Sequence, residues 1–384
     1  MADGPKVSHP GEYEQALQVA YESFLAPGDV AIDVGAHRGR HTVPIARRVL
    51  PGGRVLAFEP LPSIRAELED VLRLEVSQGG ASIQVFPYAL GERAARAEFV
   101  VAKDTPECSG LRERVYDVPT ALERIPVEVR TLDELAADLP RLRYVKIDAE
   151  GGEYHIVAGA RGLVQRLRPI ISFEFGLNSC ARYEITPADM SGLVEELGYR
   201  CFDIMGRDVS AREAFVDSAT RQEVWDYLAI PSEQLEVLQG KIRPALERFF
   251  SSAPPEKDLR ACRARLEPAG APERISVAPG QVGRIQVRVT NASPVPWEAR
   301  SLIRLGIQWH PRGKESRLGE DRAELPLPMA PGATAVVAAP LRPLGYREPL
   351  PRGEYDVWIS PLIENVAWFT DGGDAPLRLP VTVA

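Results

Sequence analysis

The chain has 384 residues and a formal charge of −8, enough length for two domains and at least one large core. Acidic and basic residues are interleaved, so no basic stripe marks a nucleic-acid surface, and no stretch approaches the roughly 18 apolar residues of a membrane helix. Cys108, Cys180, Cys201 and Cys262 lie far apart and outside any Cys-x-x-Cys pair, which argues against zinc sites and disulfide frameworks, and residues 1–10 carry no signal-like apolar core; a reducing, cytoplasmic setting is expected.

From about residue 12 to 250, short apolar runs alternate with helical patterns, the mark of repeated β-α units and a mostly parallel sheet. The clearest strands are Val30 to Val34, Arg54 to Glu59, Ser82 to Pro87, Arg143 to Asp148 and Pro169 to Phe175. A helix over Arg40 to Leu50 is expected to stop at Pro51-Gly52-Gly53, and another is expected from Tyr154 to Leu167. Beyond Ser251, Pro254-Pro255 opens a polar connector. After Arg274 apolar and polar residues alternate between Gly and Pro, as in Ile285, Val287 and Val289, in Val336-Val337 and in Tyr355 to Ile359. About seven such strands suggest a sandwich. The expected domains are therefore 1–250 (α/β), 251–273 (linker) and 274–384 (all-β).

The first strand ends in Asp33-Val34-Gly35-Ala36-His37-Arg38-Gly39. Gly35 permits a steep turn and close approach of a ligand, Gly39 lets the next helix pack near the strand, and Asp33 is able to accept a hydrogen bond from an amino-bearing ligand. Glu59 closes the second strand about 20 positions on, placed to chelate the ribose hydroxyls of an adenosine. A dinucleotide site needs a middle glycine to admit a pyrophosphate, and His37 stands there instead. S-adenosyl-L-methionine (SAM) has no phosphate, so the looser turn favours methyl transfer over a nicotinamide-dependent oxidoreductase. His37 and His41 are read as neighbours of the turn rather than as catalysts, and His155 as at most a reserve base.

A second constellation follows Lys146: Asp148-Ala149-Glu150-Gly151-Gly152-Glu153. Crowded like charges raise at least one pKa and make either a general base or a cradle for a divalent cation such as Mg2+, here through Asp148 and Glu150. Glu153 divides evenly between this role and that of an acidic residue opening a helix. Glu174 ends the neighbouring strand and is expected to point into the same crevice.

Asp33-Val34-Gly35-Ala36, Phe58-Glu59-Pro60, Ala89-Leu90-Gly91-Glu92 and Lys146 to Glu153 together resemble the FkbM-type methyltransferase family, over roughly residues 25 to 205. The resemblance implies an α/β class I (Rossmann-like) methyltransferase domain with a seven-stranded sheet, its last strand antiparallel, and O-methylation of a hydroxyl on a saccharide or glycosylated natural product. It places Asp33, Gly35, Ala36 and Gly39 around the amino acid end of SAM, Glu59 on the ribose, and Ala89 and Leu90 beside the adenine. The chain departs from the family at His37-Arg38, where Asn-Ile is common. Asp148 or Glu150 is then the expected base or metal ligand, because in-line displacement from a sulfonium needs chiefly alignment and help in deprotonating the acceptor.

Four of the five tryptophans, Trp297, Trp309, Trp358 and Trp368, lie in the last hundred residues. Trp309 and Trp358 are expected in the core, and Trp297 and Trp368 as exposed platforms. The segment Thr290 to Trp297 resembles the accessory sandwiches of surface-glycan enzymes, which suggests a C-terminal all-β immunoglobulin-like sandwich and a saccharide acceptor. The alternative is a noncatalytic glycan-binding protein with a decayed α/β domain.

Overall fold

In the computed structural model the described residues are 11–75, 82–103, 105–116, 120–251, 261–270, 275–278, 281–298, 301–343, 345, 349–363 and 367–384. Two compact units emerge, one over Tyr13–Glu247 and one that includes Arg248–Ala384. Pro254-Pro255 lies outside the described residues.

The first unit is built on β1 (Val30–Val34), β2 (Arg54–Phe58), β3 (Ser82–Phe86), β4 (Ala89–Leu90), β5 (Ala95–Ala102), β6 (Leu122–Arg130), β7 (Tyr144–Ile147), β8 (Ile170–Glu174), β9 (Tyr199–Asp203) and β10 (Asp226–Pro231). Seven of these form one sheet in the order β3-β2-β1-β7-β8-β10-β9. β10 runs antiparallel to both its neighbours, and the other pairings are parallel. β1 and β7 are buried at every position, as strands covered on both faces must be, so they read as continuous apolar runs broken only by Asp33 and Lys146. The strand order reverses between β1 and β7, and the crevice beyond their carboxyl ends is where an open α/β sheet takes its ligand.

Helix α1 (Gly11–Phe24) buries Ala16, Leu17, Ala20, Tyr21 and Phe24 on one face, and α2 (Thr42–Val49) buries Val43, Ile45, Ala46 and Val49. α2 ends at Leu50, which is extended ahead of Pro51 because the proline ring disfavours helix at the residue before it. Helix α3 (Pro62–Glu75) follows β2, and α4 (Leu132–Leu135) follows β6. The single helix expected over Tyr154 to Leu167 is two, α5 (Glu153–Ala158) and α6 (Arg161–Leu167). The break falls at Gly159, where a Cβ would lie 2.2 Å from the Gly91 carbonyl oxygen: a close tertiary approach, invisible to periodicity, interrupts the pattern. β4, β6 and β5 form a small separate sheet whose Phe99, Val127 and Val129 pack with Leu61, Ile64 and Ala89.

The second unit is all β: β11 (Ala264–Pro268), β12 (Ile275–Val277), β13 (Gly283–Asn291), β14 (Ile303–Pro311), β15 (Gly319–Glu324), β16 (Thr334–Leu341), β17 (Gly353–Ile363), β18 (Ala367–Trp368) and β19 (Leu377–Val383). One sheet has the order β11-β13-β16, the other β12-β19-β17-β14-β15 with β18 on β17. Val287, Val289 and Ala339 from the first share one buried cluster with Leu305, Ile307, Val357 and Ile359 from the second. β11 lies inside the stretch expected to be linker; its charged, half-exposed residues hide a pairing with β13 that only the tertiary fold reveals.

The tryptophans divide differently from expectation. Trp309 is fully buried in the core, but so is Trp297, whose indole donates to Ser293 Oγ at 2.9 Å. Trp358 alternates with the buried Val357 and Ile359 and so faces the other side of its sheet, where it stacks on His310 at 4.2 Å beneath the Arg378 guanidinium. Trp368 covers Gly306, where a Cβ would lie 2.3 Å from its ring.

Candidate active site

The turn after β1 is fastened from three sides. The amides of Gly35 and Ala36 both donate to the Phe58 carbonyl at the end of β2, at 3.1 and 3.0 Å. Gly35 has φ +75°, and a Cβ there would fall 1.7 Å from the Asp148 carbonyl oxygen. Its glycine is therefore demanded by the acidic loop pressing against it, as well as by the turn. Gly39, at φ +86°, leaves just enough room for Leu68 of α3. His37 also adopts a positive φ, of 45°.

Asp33 is wholly buried. Thr42 donates to its Oδ2 at 2.6 Å, while Oδ1 has no hydrogen-bond donor and lies 3.8 Å from Lys146 Nζ. Glu59 is 5 % exposed and accepts from the amides of His37 (3.0 Å, at Oε2) and Leu61 (2.8 Å, at Oε1). Burial pushes its carboxyl up to about 7 in spite of those two bonds. Beside it Phe58, Phe86 and Tyr88 form a stack, the first pair at 4.9 Å. Ala89 and Leu90 are buried in β4. The aromatic stack carried no spacing signal, because it forms across β2 and β3.

The acidic loop is fastened to the same turn: the Asp148 amide donates to Val34 O at 3.1 Å. Lys146, 3 % exposed, donates to Asp148 Oδ2 at 3.1 Å. Burial alone would lower its pKa, but the carboxylates of Asp148, Asp33 and Glu14 win and hold the ammonium charged. Glu150 sits at φ +52° and accepts from Arg114 at 2.5 Å. Burial, then the nearby Asp148, push its carboxyl up to about 8 against the pull of Arg114. Glu174, at the end of β8, is raised well above the usual range by burial and by Asp148, Glu150 and Asp226. One carboxylate oxygen from each of Asp148, Glu150 and Glu174 lies within 4.8 Å of the other two.

Glu153 resolves toward structure. Its Oε1 accepts from the amides of Ala149 (2.7 Å) and Gly151 (3.3 Å), so it ties the loop back onto the start of α5. Gly151 is a required glycine, since a Cβ would lie 2.3 Å from Ser179 O. Asp226 escaped the reading of the sequence. It is the register partner of Glu174 across β8 and β10, a neighbourhood that exists only once the antiparallel strand is inserted. Burial, then Glu14 and Asp148, raise its carboxyl well above the usual range.

The histidines are accounted for. Burial and Arg38 push His37 down to about 4, which leaves it neutral at pH 7. His41 is buried between Glu14 (2.6 Å) and the Tyr21 hydroxyl (3.1 Å), where it joins α1 to α2. His155 lies 3.6 Å from Glu92 and beside Tyr183, on α5.

Residues 33–201 match the family model of the methyltransferase FkbM domain. No curated protein matches the chain. Among solved structures, an FkbM methyltransferase from Methylobacillus flagellatus is similar at 18% identity and a TM-score of 0.34, over 53% of this chain and 43% of that one, so the chain spans less than half of that relative. Fibrillarin from Aeropyrum pernix, solved with natively bound S-adenosyl-L-methionine, is similar at 11% identity and a TM-score of 0.30, over 57% of this chain and 76% of that one. The CARDB domain of a Pyrococcus furiosus protein, solved with di-metal ions, is similar at 12% identity and a TM-score of 0.20, over 35% of this chain and 95% of that one.

Proposed function

Starting from a chain whose residues 33–201 match the methyltransferase FkbM domain, we propose that it transfers the methyl group of SAM to a hydroxyl of a saccharide or glycosylated natural product. The observation that carries this reading is the convergence of Asp148, Glu150 and Glu174 at the strand-order reversal, pressed directly against the Gly35 turn. A methyl donor in the turn and an acceptor hydroxyl over the carboxylates would be neighbours.

SAM supplies an electrophilic methyl on a sulfonium. The residues present fit it. Asp33 Oδ1 lacks a hydrogen-bond donor, and Glu59 keeps a free lone pair on each oxygen for the ribose hydroxyls. Phe86 and Tyr88 supply an aromatic flank beside Ala89 and Leu90 for the adenine. On the acceptor side, Asp148 is oriented by Lys146 and Glu150 by Arg114; Asp148 would take the hydroxyl proton as the new C–O bond forms, and Glu150, its carboxyl raised to about 8, would do so only once ionised, above neutral pH. A divalent cation such as Mg2+ also fits: Asp148, Glu150 and Glu174 would hold it, and it would relieve the repulsion that adds to burial in raising Glu150 and Glu174. In the second unit, two sheets over one core support an immunoglobulin-like sandwich, which we read as a positioning or assembly module.

Calorimetric titration with S-adenosylhomocysteine and NAD, followed by transfer of labelled methyl to a saccharide panel with and without Mg2+, tests the proposal. Asp148→Asn combined with Glu150→Gln is expected to abolish turnover and leave S-adenosylhomocysteine affinity intact. Methylation at the normal rate in that variant would remove both residues from the chemistry. Tight NAD binding without S-adenosylhomocysteine binding would overturn the reading itself.

A further inference from the structure

Beside Leu90 and Gly91 lies a cavity of about 830 Å³, a volume typical of small-molecule sites. Its apolar wall is Leu90, Ala97, Leu111 and Val129, from β4, β5, β6 and the segment between β5 and β6. Gly152, the last residue of the acidic loop before α5, also lines it, so the cavity reaches the loop that carries Asp148 and Glu150. Four arginines and His155 also line it, against three glutamates, in a protein whose overall charge is −8.

The charges are not balanced evenly. Arg124 lies 3.5 Å from Glu113 and 4.0 Å from Glu98, and Arg93 lies 4.0 Å from Glu92, so the three glutamates are engaged by these two arginines. Arg112 and Arg182 have no ion pair among the described residues. Both are exposed, and the Arg112 guanidinium lies 5.5 Å from the centroid of the Tyr183 ring, which limits where it points. Tyr183 is 8 % exposed, and its hydroxyl makes no hydrogen bond of ordinary geometry, although the Arg112 backbone approaches it. A buried donor without a partner is costly unless something else satisfies it.

We infer that this cavity binds an anionic group of the methyl acceptor, a carboxylate or a phosphate, through Arg112, Arg182 and the Tyr183 hydroxyl. Two guanidinium forks and a phenol offer the charge-assisted donors that such a group requires. The apolar wall suits the carbon face of a ring carrying it. The inference rests on the methyl-transfer reading and narrows its acceptor to an acidic molecule.

The test is an NMR titration of the full chain, saturated with S-adenosylhomocysteine, with glucuronate, inorganic phosphate and glucose to millimolar concentrations. Glucuronate and phosphate separate the two anion chemistries, and glucose is the neutral control. Saturable binding of at least one anion, weakened about tenfold by Arg112→Ala and by Arg182→Ala, is expected, with S-adenosylhomocysteine affinity unchanged in both variants. Both side chains are exposed and outside ion pairs, so an unchanged melting temperature will certify the fold; Tyr183→Phe is a third variant that removes only the hydroxyl. Absence of saturable anion binding, equal affinity in the arginine variants, or glucose binding as tightly as the anions overturns the inference. Failure of the underlying reading is distinguishable, because the wild-type chain would then not bind S-adenosylhomocysteine.

Discussion

Gly35 and Gly52 both adopt a positive φ, +75° and +78°, yet they answer to different constraints. At Gly52 an added methyl meets open space, so Gly52→Ala carries only the left-handed backbone penalty, about 1 kcal/mol. At Gly35 the methyl would overlap the Asp148 carbonyl, and Gly35→Ala is expected to cost at least about 3 kcal/mol. Urea unfolding of the two variants checks this, and equal losses would mean that the turn yields without displacing the acidic loop. Glu150 makes the second prediction. Its carboxyl titrates near 8 in the folded chain and near 4.5 when unfolded, so between those values the unfolded chain binds fewer protons. Its contribution is fully present below pH 4.5 and is lost as pH rises through 8, with an upper limit of about 1.4 kcal/mol for each pH unit. Glu150→Gln should therefore lose less stability than the wild type between pH 5 and pH 8. Parallel declines in urea midpoints would contradict the shift.

Among the elements, strands predicted from apolar runs were legible because a strand buried on both faces has little choice of residue, as in Val30–Val34 and Ile170–Glu174. β5 and β6 carried a weaker signal: β5 buries only Phe99, Val100 and Ala102 at its end, and β6 exposes five of its nine residues and leaves Val127 and Val129 as a short buried alternation. The two tryptophans at adjacent register positions illustrate the same limit. Trp309 opposes Val357 and Trp358 opposes Gln308, one residue apart, so they point to opposite faces of one sheet. Trp309→Ala is expected to cost about 3–5 kcal/mol through a core cavity, and Trp358→Ala, which loses His310 and Arg378 contacts on the outer face, about 1–2 kcal/mol. Urea unfolding followed by far-ultraviolet dichroism measures both, and the reverse order would place the wrong face in the core.

Across the whole molecule, local grammar revealed a change from β-α alternation to β strands near residue 250, because periodicity and turn residues are written along the chain. The turn from Asp33 to Gly39, Glu59 and the run from Asp148 to Glu153 are likewise written along the chain: each ends a strand whose apolar run is plain. What only the tertiary structure decided was which of these groups share a space. β1 and β7 are neighbours at the strand-order reversal, so the Asp148 carbonyl meets Gly35; inserting β10 beside β8 sets Asp226 against Glu174; and the close pass of Gly159 over Gly91 breaks a helix the sequence would continue. Composition and spacing specify the preference of each segment for helix, strand or turn, which is a short-range matter of dihedral angles and burial period. The pairing of distant strands, and with it the charge environment that raises Glu150 and Glu174, depends on contacts between residues far apart in the chain, and no local pattern encodes those.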